Sequence, residues 1–451
     1  SYDLNNNITQ LVTKTTDKTV KNKFTFGKDN LLKTFELSTG KKVDYTYDGL
    51  NRLTKTSLTT STNTPIDTTY TYFASKRGSD YTTTKLKSET INGEKYEYKY
   101  DARSNITDVT KDGVLQYHYG YDMMNQLVSV DDKLNGKVYN YTYDAGGNLI
   151  SETVTDSNGT TSNAYEYNNS NWGDVLTSYN GQNITYDEIG NPLTYRDGMS
   201  MTWKNGRQLA TFTNGDTSIS YGYDSGSVRT TKTVNGVKYT YAYLNGQLLY
   251  ETRGDAKFYY SYDANGILYN VRYTLTDGGT EYSYYYTHNS RGDIVGIYNG
   301  AGELKAHYEY DAWGNVISIT DNNGNVITNP NHIGNLNPFR YRGYYQDTET
   351  GLYYLMSRYY DAVTHRFINA DGYFQSGGSI LDANTFAYCA NNPVLNVDPL
   401  GTCKVPNYTS AGTYIGHTWK IKESVPGVPG FCNVCKGYGS NAPSNTSHSF
   451  I

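Results

Sequence analysis

The dipeptide Tyr-Asp, usually preceded by a run in which every second residue is aromatic, governs what this chain can fold into. KYEYKYD, VYNYTYD and FYYSYD alternate with period two, so their tyrosines collect on one face of an extended strand. Each Tyr-Asp opens a polar loop that ends on an apolar residue: YDGLNRL from Tyr47, YDARSNI from Tyr100, YDMMNQL from Tyr121, YDAGGNL from Tyr143, YDEIGNPL from Tyr186, YDANGIL from Tyr262 and YDAWGNV from Tyr310. Weaker copies fall at Tyr2, Phe26, Tyr72, Tyr167, Trp203, Tyr223, Tyr243 and His288, and successive starts lie mostly about 21 residues apart. Between them sits a second turn, usually Asn-Gly or Asp-Gly, as at Asn92-Gly93, Asp112-Gly113, Asn235-Gly236 and Asn299-Gly300. These dipeptides tolerate positive φ and suit two-residue hairpin turns. Each repeat therefore holds two strands and two turns, with the aspartate bonding forward to loop amides. A lone hairpin is marginal, and an array gains stability by stacking each repeat on its neighbours.

Composition supports an all-β array. Of 451 residues 50 are tyrosine, charged residues make up only 18%, and the formal net charge is −5. That balance argues against an electrostatic nucleic-acid or anionic-membrane surface in the repeat region. No apolar run reaches the roughly 18 residues that would span a bilayer. The start, SYDLNNNITQ, lies inside a repeat and has no signal-peptide pattern, which reads as the C-terminal portion of a longer protein. The four cysteines, Cys389, Cys403, Cys432 and Cys435, leave the array itself cysteine-free, so no disulfide scaffold builds it.

Near the C-terminus the pattern changes. Residues 337 to 401 read NPFRYRGYYQDTETGLYYLMSRYYDAVTHRFINADGYF, a short Gly/Ser insert, then NTFAYCANNPVLNVDPLG. The order of N-P-F-R-Y-x-G, T-G-L-Y-Y-L, R-Y-Y-D, R-F-I, N-N-P-V and D-P-x-G resembles the core domain of the rearrangement-hotspot (RHS), or YD-repeat, family. The resemblance implies a spiral of antiparallel β-hairpin repeats forming part of a hollow shell, similar to Tc toxin C-components and teneurins, with the core as its plug. It divides the chain into a shell segment (1–336), the core (337–401) and a variable C-terminal tail (402–451) that would be the encapsulated cargo. It implies a polymorphic toxin or wall-associated protein, secreted from or displayed on a bacterium.

The same resemblance implies self-cleavage by an aspartyl-protease-like pair just after D-P-x-G. The matching acids are Asp398, in Asp398-Pro399-Leu400-Gly401, and Asp371, in RFINADG, with Arg366 or Arg358 to hold the charged partner or the scissile carbonyl. Two close carboxyls share a proton, so one remains an acid while the other activates water. The bond would lie near Gly401, Thr402 and Cys403. Gly372 stands where the family commonly has proline after the first acid, and Thr402 where leucine is frequent. The bland reading is that both acids only shape turns.

No cofactor is expected. Cys403, His417, Cys432 and Cys435, with His448, are weak zinc candidates; a disulfide is the other staple, and free thiols in a loosely ordered tail the leading alternative. Asp321 to Asn325 reads as a turn, lacking the glutamate of a calcium loop. Cys389 reads as a small core residue and His365 as a surface substitution. The tyrosine rows pack across strands, or alternatively offer stacking platforms for carbohydrate in an adhesion protein that does not cleave.

Overall fold

The computed structural model describes residues 1–62, 64–74, 82–372 and 380–402, together with the backbone of residues 405 and 406. Among these, a first sheet runs through sixteen strands from Gln10–Lys14 to Gln182–Asn183, and a second through fourteen from Thr185–Tyr186 to Val316–Thr320. Within each sheet every strand pairs antiparallel with its sequence neighbours, so each of the two ladders is a continuous meander. The fold is all-β, as the period-two pattern requires.

The Tyr-Asp loop shows why the dipeptide recurs. In the repeat at Tyr143, Asp144 Oδ1 accepts from the backbone N–H groups of Gly146 and Asn148, both at 2.8 Å, while Oδ2 accepts from the Asn148 side chain at 2.8 Å. The same triple contact is made by Asp101, Asp122, Asp187 and Asp311. The tyrosine before each aspartate sits at a β-bulge, where one extra residue bends the strand into its loop. Its hydroxyl donates to a carbonyl of the preceding repeat: Tyr121 to Ile106 at 2.8 Å, Tyr143 to Leu127 at 2.8 Å and Tyr310 to Ile294 at 2.8 Å. Tyrosine thus closes its own loop and ties it to the previous one. Tyr167 does the same to Leu149 at 2.9 Å, whereas the hydroxyls of Tyr165, Tyr221 and Tyr241, each two residues before a loop tyrosine, are buried without a hydrogen-bond partner.

At the other end of the hairpins, Asn92-Gly93, Asp112-Gly113 and Asn235-Gly236 have positive φ at both residues, the type I′ signature. Asn299-Gly300 does not. There Asn299 caps a longer loop by accepting from Ala301 N at 3.1 Å and Glu303 N at 3.0 Å, with Gly302 as the left-handed residue.

The ladder winds past itself. Thr15 meets Tyr259, Tyr45 donates to Asp263, and Ser61 donates to Gly300, contacts between residues 218 to 244 positions apart. One buried cluster gathers Leu86 to Tyr221 from the two sheets with Tyr341 to Val397, so the sheets curl around the C-terminal segment. That segment carries a four-stranded sheet (Tyr345–Gln346, Tyr353–Tyr354, Tyr359–Asp361, Arg366–Phe367) and a two-stranded one (Asn396–Val397, Val405–Pro406).

Its side chains lock onto the repeats. Asn392 donates to Asn105 at 3.0 Å, Asn391 to Gln126 at 2.9 Å and Asn384 to Asn148 at 2.8 Å, the very amides that the loop aspartates hold. Buried ion pairs add to this: Arg229 and Lys232 on Asp347, and Arg196 on Asp361. His365 is no surface substitution. It is 4% exposed, stacks on Trp313 with ring centroids 4.7 Å apart, and faces Glu152 of the wall at 3.2 Å. Its φ of +61° lies in the left-handed region that favours glycine, so it carries strain in exchange for these contacts. Cys389 is buried, as a core residue should be.

Candidate active site

Three chain segments of the core converge on one guanidinium. Arg358 lies just before the strand Tyr359–Asp361, and its side chain is 4% exposed. Asp371 follows the partner strand Arg366–Phe367, its backbone N–H tied to Thr385 O at 2.9 Å. Asp398 follows the strand Asn396–Val397. Arg358 Nη2 lies 3.0 Å from Asp371 Oδ2 and 3.4 Å from Asp398 Oδ2. The two acids that sequence placed 27 positions apart therefore meet the same nitrogen. Phe367 lies beneath the guanidinium, its ring centre 3.6 Å from Arg358 Cζ, and Arg358 Nη1 donates to Thr385 O at 2.9 Å.

The backbone of Asp398-Pro399-Leu400-Gly401 is held in this cradle. Tyr344 Oη accepts from Asp398 N at 3.1 Å and reaches Asp398 O at 3.1 Å, pinning that residue from both sides. Burial, with Cys389 and Asp398 adding to it, holds the Tyr344 phenol far above its ordinary range, so it stays a neutral donor. Gly401 has φ of +69°, and a Cβ there would come within 3.0 Å of Ser357 Oγ and 3.1 Å of Leu355 O. Only glycine fits both the conformation and the space. Arg358 Nε donates to Gly401 O, Ser357 Oγ lies 2.8 Å from the same oxygen, and Thr402 N donates to Asp398 Oδ1 at 3.0 Å. The Gly401–Thr402 peptide is thus contacted at its oxygen by two donors and at its nitrogen by a carboxylate.

Burial pushes the nearby Arg207 guanidinium down, with the Asp371 carboxylate opposing that shift. Arginine stays charged across the accessible range, so Asp371 feels a second cation.

Arg366 goes elsewhere. It donates to Tyr167 Oη at 2.6 Å and to Asp174 O, and lies over the Phe386 ring. Its strand pairs it opposite Asp361 and its side chain reaches Tyr167 and Asp174, so the guanidinium beside Asp371 and Asp398 is that of Arg358. Thr402 is described; Cys403, His417, Cys432, Cys435 and His448 lie outside the described residues. Among the described residues no group of three or more His, Cys, Asp or Glu is arranged to hold a metal ion. Ser357 carried no motif signal in the sequence. Its neighbour Arg358, at the start of R-Y-Y-D, was the available pointer to it.

The model of the family described as teneurin YD-shell matches residues 80–394, well over half of the chain. The chain belongs to the teneurin YD-shell family. Curated bacterial proteins match parts of the chain. The tRNA3(Ser)-specific nuclease WapA of Bacillus spizizenii is 39% identical over 257 residues, covering 55% of this chain and 10% of that protein. Double-stranded DNA deaminase toxin A of Burkholderia cenocepacia is 36% identical over 131 residues, covering 29% of this chain and 8% of that one. This YD-shell chain thus spans about a tenth of the length of these two curated relatives. Among solved structures, the Tc holotoxin pore of Photorhabdus luminescens superposes with a TM-score of 0.58 at 16% identity, covering 88% of this chain and 22% of that one. At that identity the likeness shows a shared fold. Among the described residues no helix is long and apolar enough to cross a membrane.

Proposed function

We propose that this chain is the closing part of a bacterial RHS-type toxin, whose YD shell encloses a C-terminal effector and whose core frees that effector by one intramolecular cut. One observation carries the reading: Arg358 joins Asp371 and Asp398 beside a Gly401–Thr402 peptide whose nitrogen already lies on Asp398. In this reading Asp398, at the leaving nitrogen, holds the shared proton, and Asp371 activates water. Arg358 keeps the second carboxyl ionised. Residues 402–451 are the cargo, released after export from the producing cell. The names of the relatives, a nuclease and a deaminase toxin, support an effector of that general kind. They do not transfer a substrate to this tail.

Hydrolysis inside a closed shell separates cargo from carrier without exposing it, which suits a polypeptide harmful to its producer. The test compares the purified chain with Asp371→Asn and Asp398→Asn variants on a denaturing gel. The reading expects two pieces from the wild type and one from each variant. A folded wild type that stays whole, or variants that cut as well as it does, would overturn it. A whole chain that bound glycan would instead favour an adhesion protein.

A further inference from the structure

The two acids serve the water and the leaving nitrogen of the Gly401–Thr402 bond; hydrolysis also places negative charge on its carbonyl oxygen. Preorganised donors at that oxygen are commonly the largest single contribution to acyl-transfer catalysis. Here the oxygen meets Arg358 Nε and Ser357 Oγ, the latter at 2.8 Å. Ser357 is fixed for this purpose by its own backbone: Ser357 N donates to Leu400 O at 3.3 Å and to Leu355 O at 2.7 Å. Its hydroxyl also lies 2.5 Å from Leu400 O, so one proton has two acceptors. Charge growing on the Gly401 oxygen draws that proton to it. Ser357 is exposed and belongs to none of the hydrophobic clusters, so its hydroxyl is not there to build the core.

We propose that Ser357 is a catalytic residue, its hydroxyl forming with Arg358 Nε a two-donor oxyanion site that selects Gly401–Thr402 as the bond to be cut; this rests on the self-cleavage reading above. Water adds through its oxygen to the Gly401 carbonyl carbon and gives one proton to Asp371. The carbonyl oxygen takes the negative charge, shared by Ser357 and Arg358. As the carbon–nitrogen bond breaks, the Asp398 proton passes to the Thr402 nitrogen. The products are a carboxyl group on Gly401 and an amine on Thr402.

The test follows appearance of the cut chain during cell-free synthesis of the full-length protein, for wild type, Ser357→Thr, Ser357→Val and Asp371→Asn. Threonine keeps the hydroxyl, and valine is its near-isostere without one. Valine is expected to slow cleavage by about 10²- to 10³-fold, the usual loss for one oxyanion donor. Threonine, which keeps the donor, should cut well faster than valine, with unchanged melting temperatures and a new amino terminus at Thr402 in every cut product. Should valine lower the melting temperature, Ser357→Ala takes its place in the comparison. Valine or alanine cutting as fast as wild type, or threonine no faster than valine, overturns the assignment of Ser357. If that happens while Asp371→Asn stays whole, self-cleavage stands and the serine alone is wrong. A wild type that never cuts removes both.

Discussion

Single buried acids in this shell are set by their surroundings, and Glu89 is the clearest. Its Oε1 accepts from Tyr98 and from Ser290, the latter at 3.1 Å, while Oε2 is buried without a partner. Burial outweighs these bonds and pushes the carboxyl up to about 7 from an ordinary value of 4.5. A raised carboxyl favours the folded state fully below pH 4.5, and that contribution is lost as pH climbs through about 7. Glu89→Gln keeps the accepting oxygen and cannot ionise. The variant should therefore melt above wild type at pH 8, by on the order of 2–3 kcal/mol of stability, with the gap closing toward pH 4.5. Equal melting curves at both pH values would contradict this. The contrast with Asp371 and Asp398 explains why reading residues alone was insufficient. Asp-Gly and Asp-Pro look like turns in any sequence, and only tertiary packing decides that both meet Arg358 rather than Arg366.

The Tyr-Asp loop is the element on which the array depends. Asp144→Ala removes three accepted bonds and should cost about 2–3 kcal/mol. Hydrogen exchange at the Gly146 and Asn148 amides should rise together; faster exchange spread evenly over the chain would mean the loop is not a local unit. Tyr143→Phe, which loses only the bond to Leu127 O, should cost about 1 kcal/mol. These elements could be read from sequence because their rules are short: a period of two, an aspartate reaching two and four residues ahead, and a dipeptide at positive φ. Asn299-Gly300 shows the limit, since its turn type depends on Glu303, four residues further on, which Asn299 also binds through its side chain at 2.8 Å. Ser357 shows it more sharply, because a serine in a loop has no pattern until Gly401 is seen beside it.

For the molecule as a whole, the core is fastened by charges that water never reaches. Asp347 holds both Arg229 and Lys232, and all three side chains are at most 1% exposed. Asp347→Ala leaves buried Arg229 without its carboxylate and Lys232 with Glu349 alone, and should destabilise the folded chain by about 3–5 kcal/mol, with loss of the proposed cleavage, although the residue belongs to no part of the candidate site. A variant that melted like wild type would show the latch to be dispensable. On the function proposed above, shell and core fold into a site that hydrolyses one peptide bond of the same chain. The most direct test is the intact mass of the protein made in water enriched in oxygen-18. A fragment ending at Gly401 with one heavy oxygen in its new carboxyl group is expected, together with a second fragment beginning at Thr402. A single uncut species, or a cut at another bond, would contradict it.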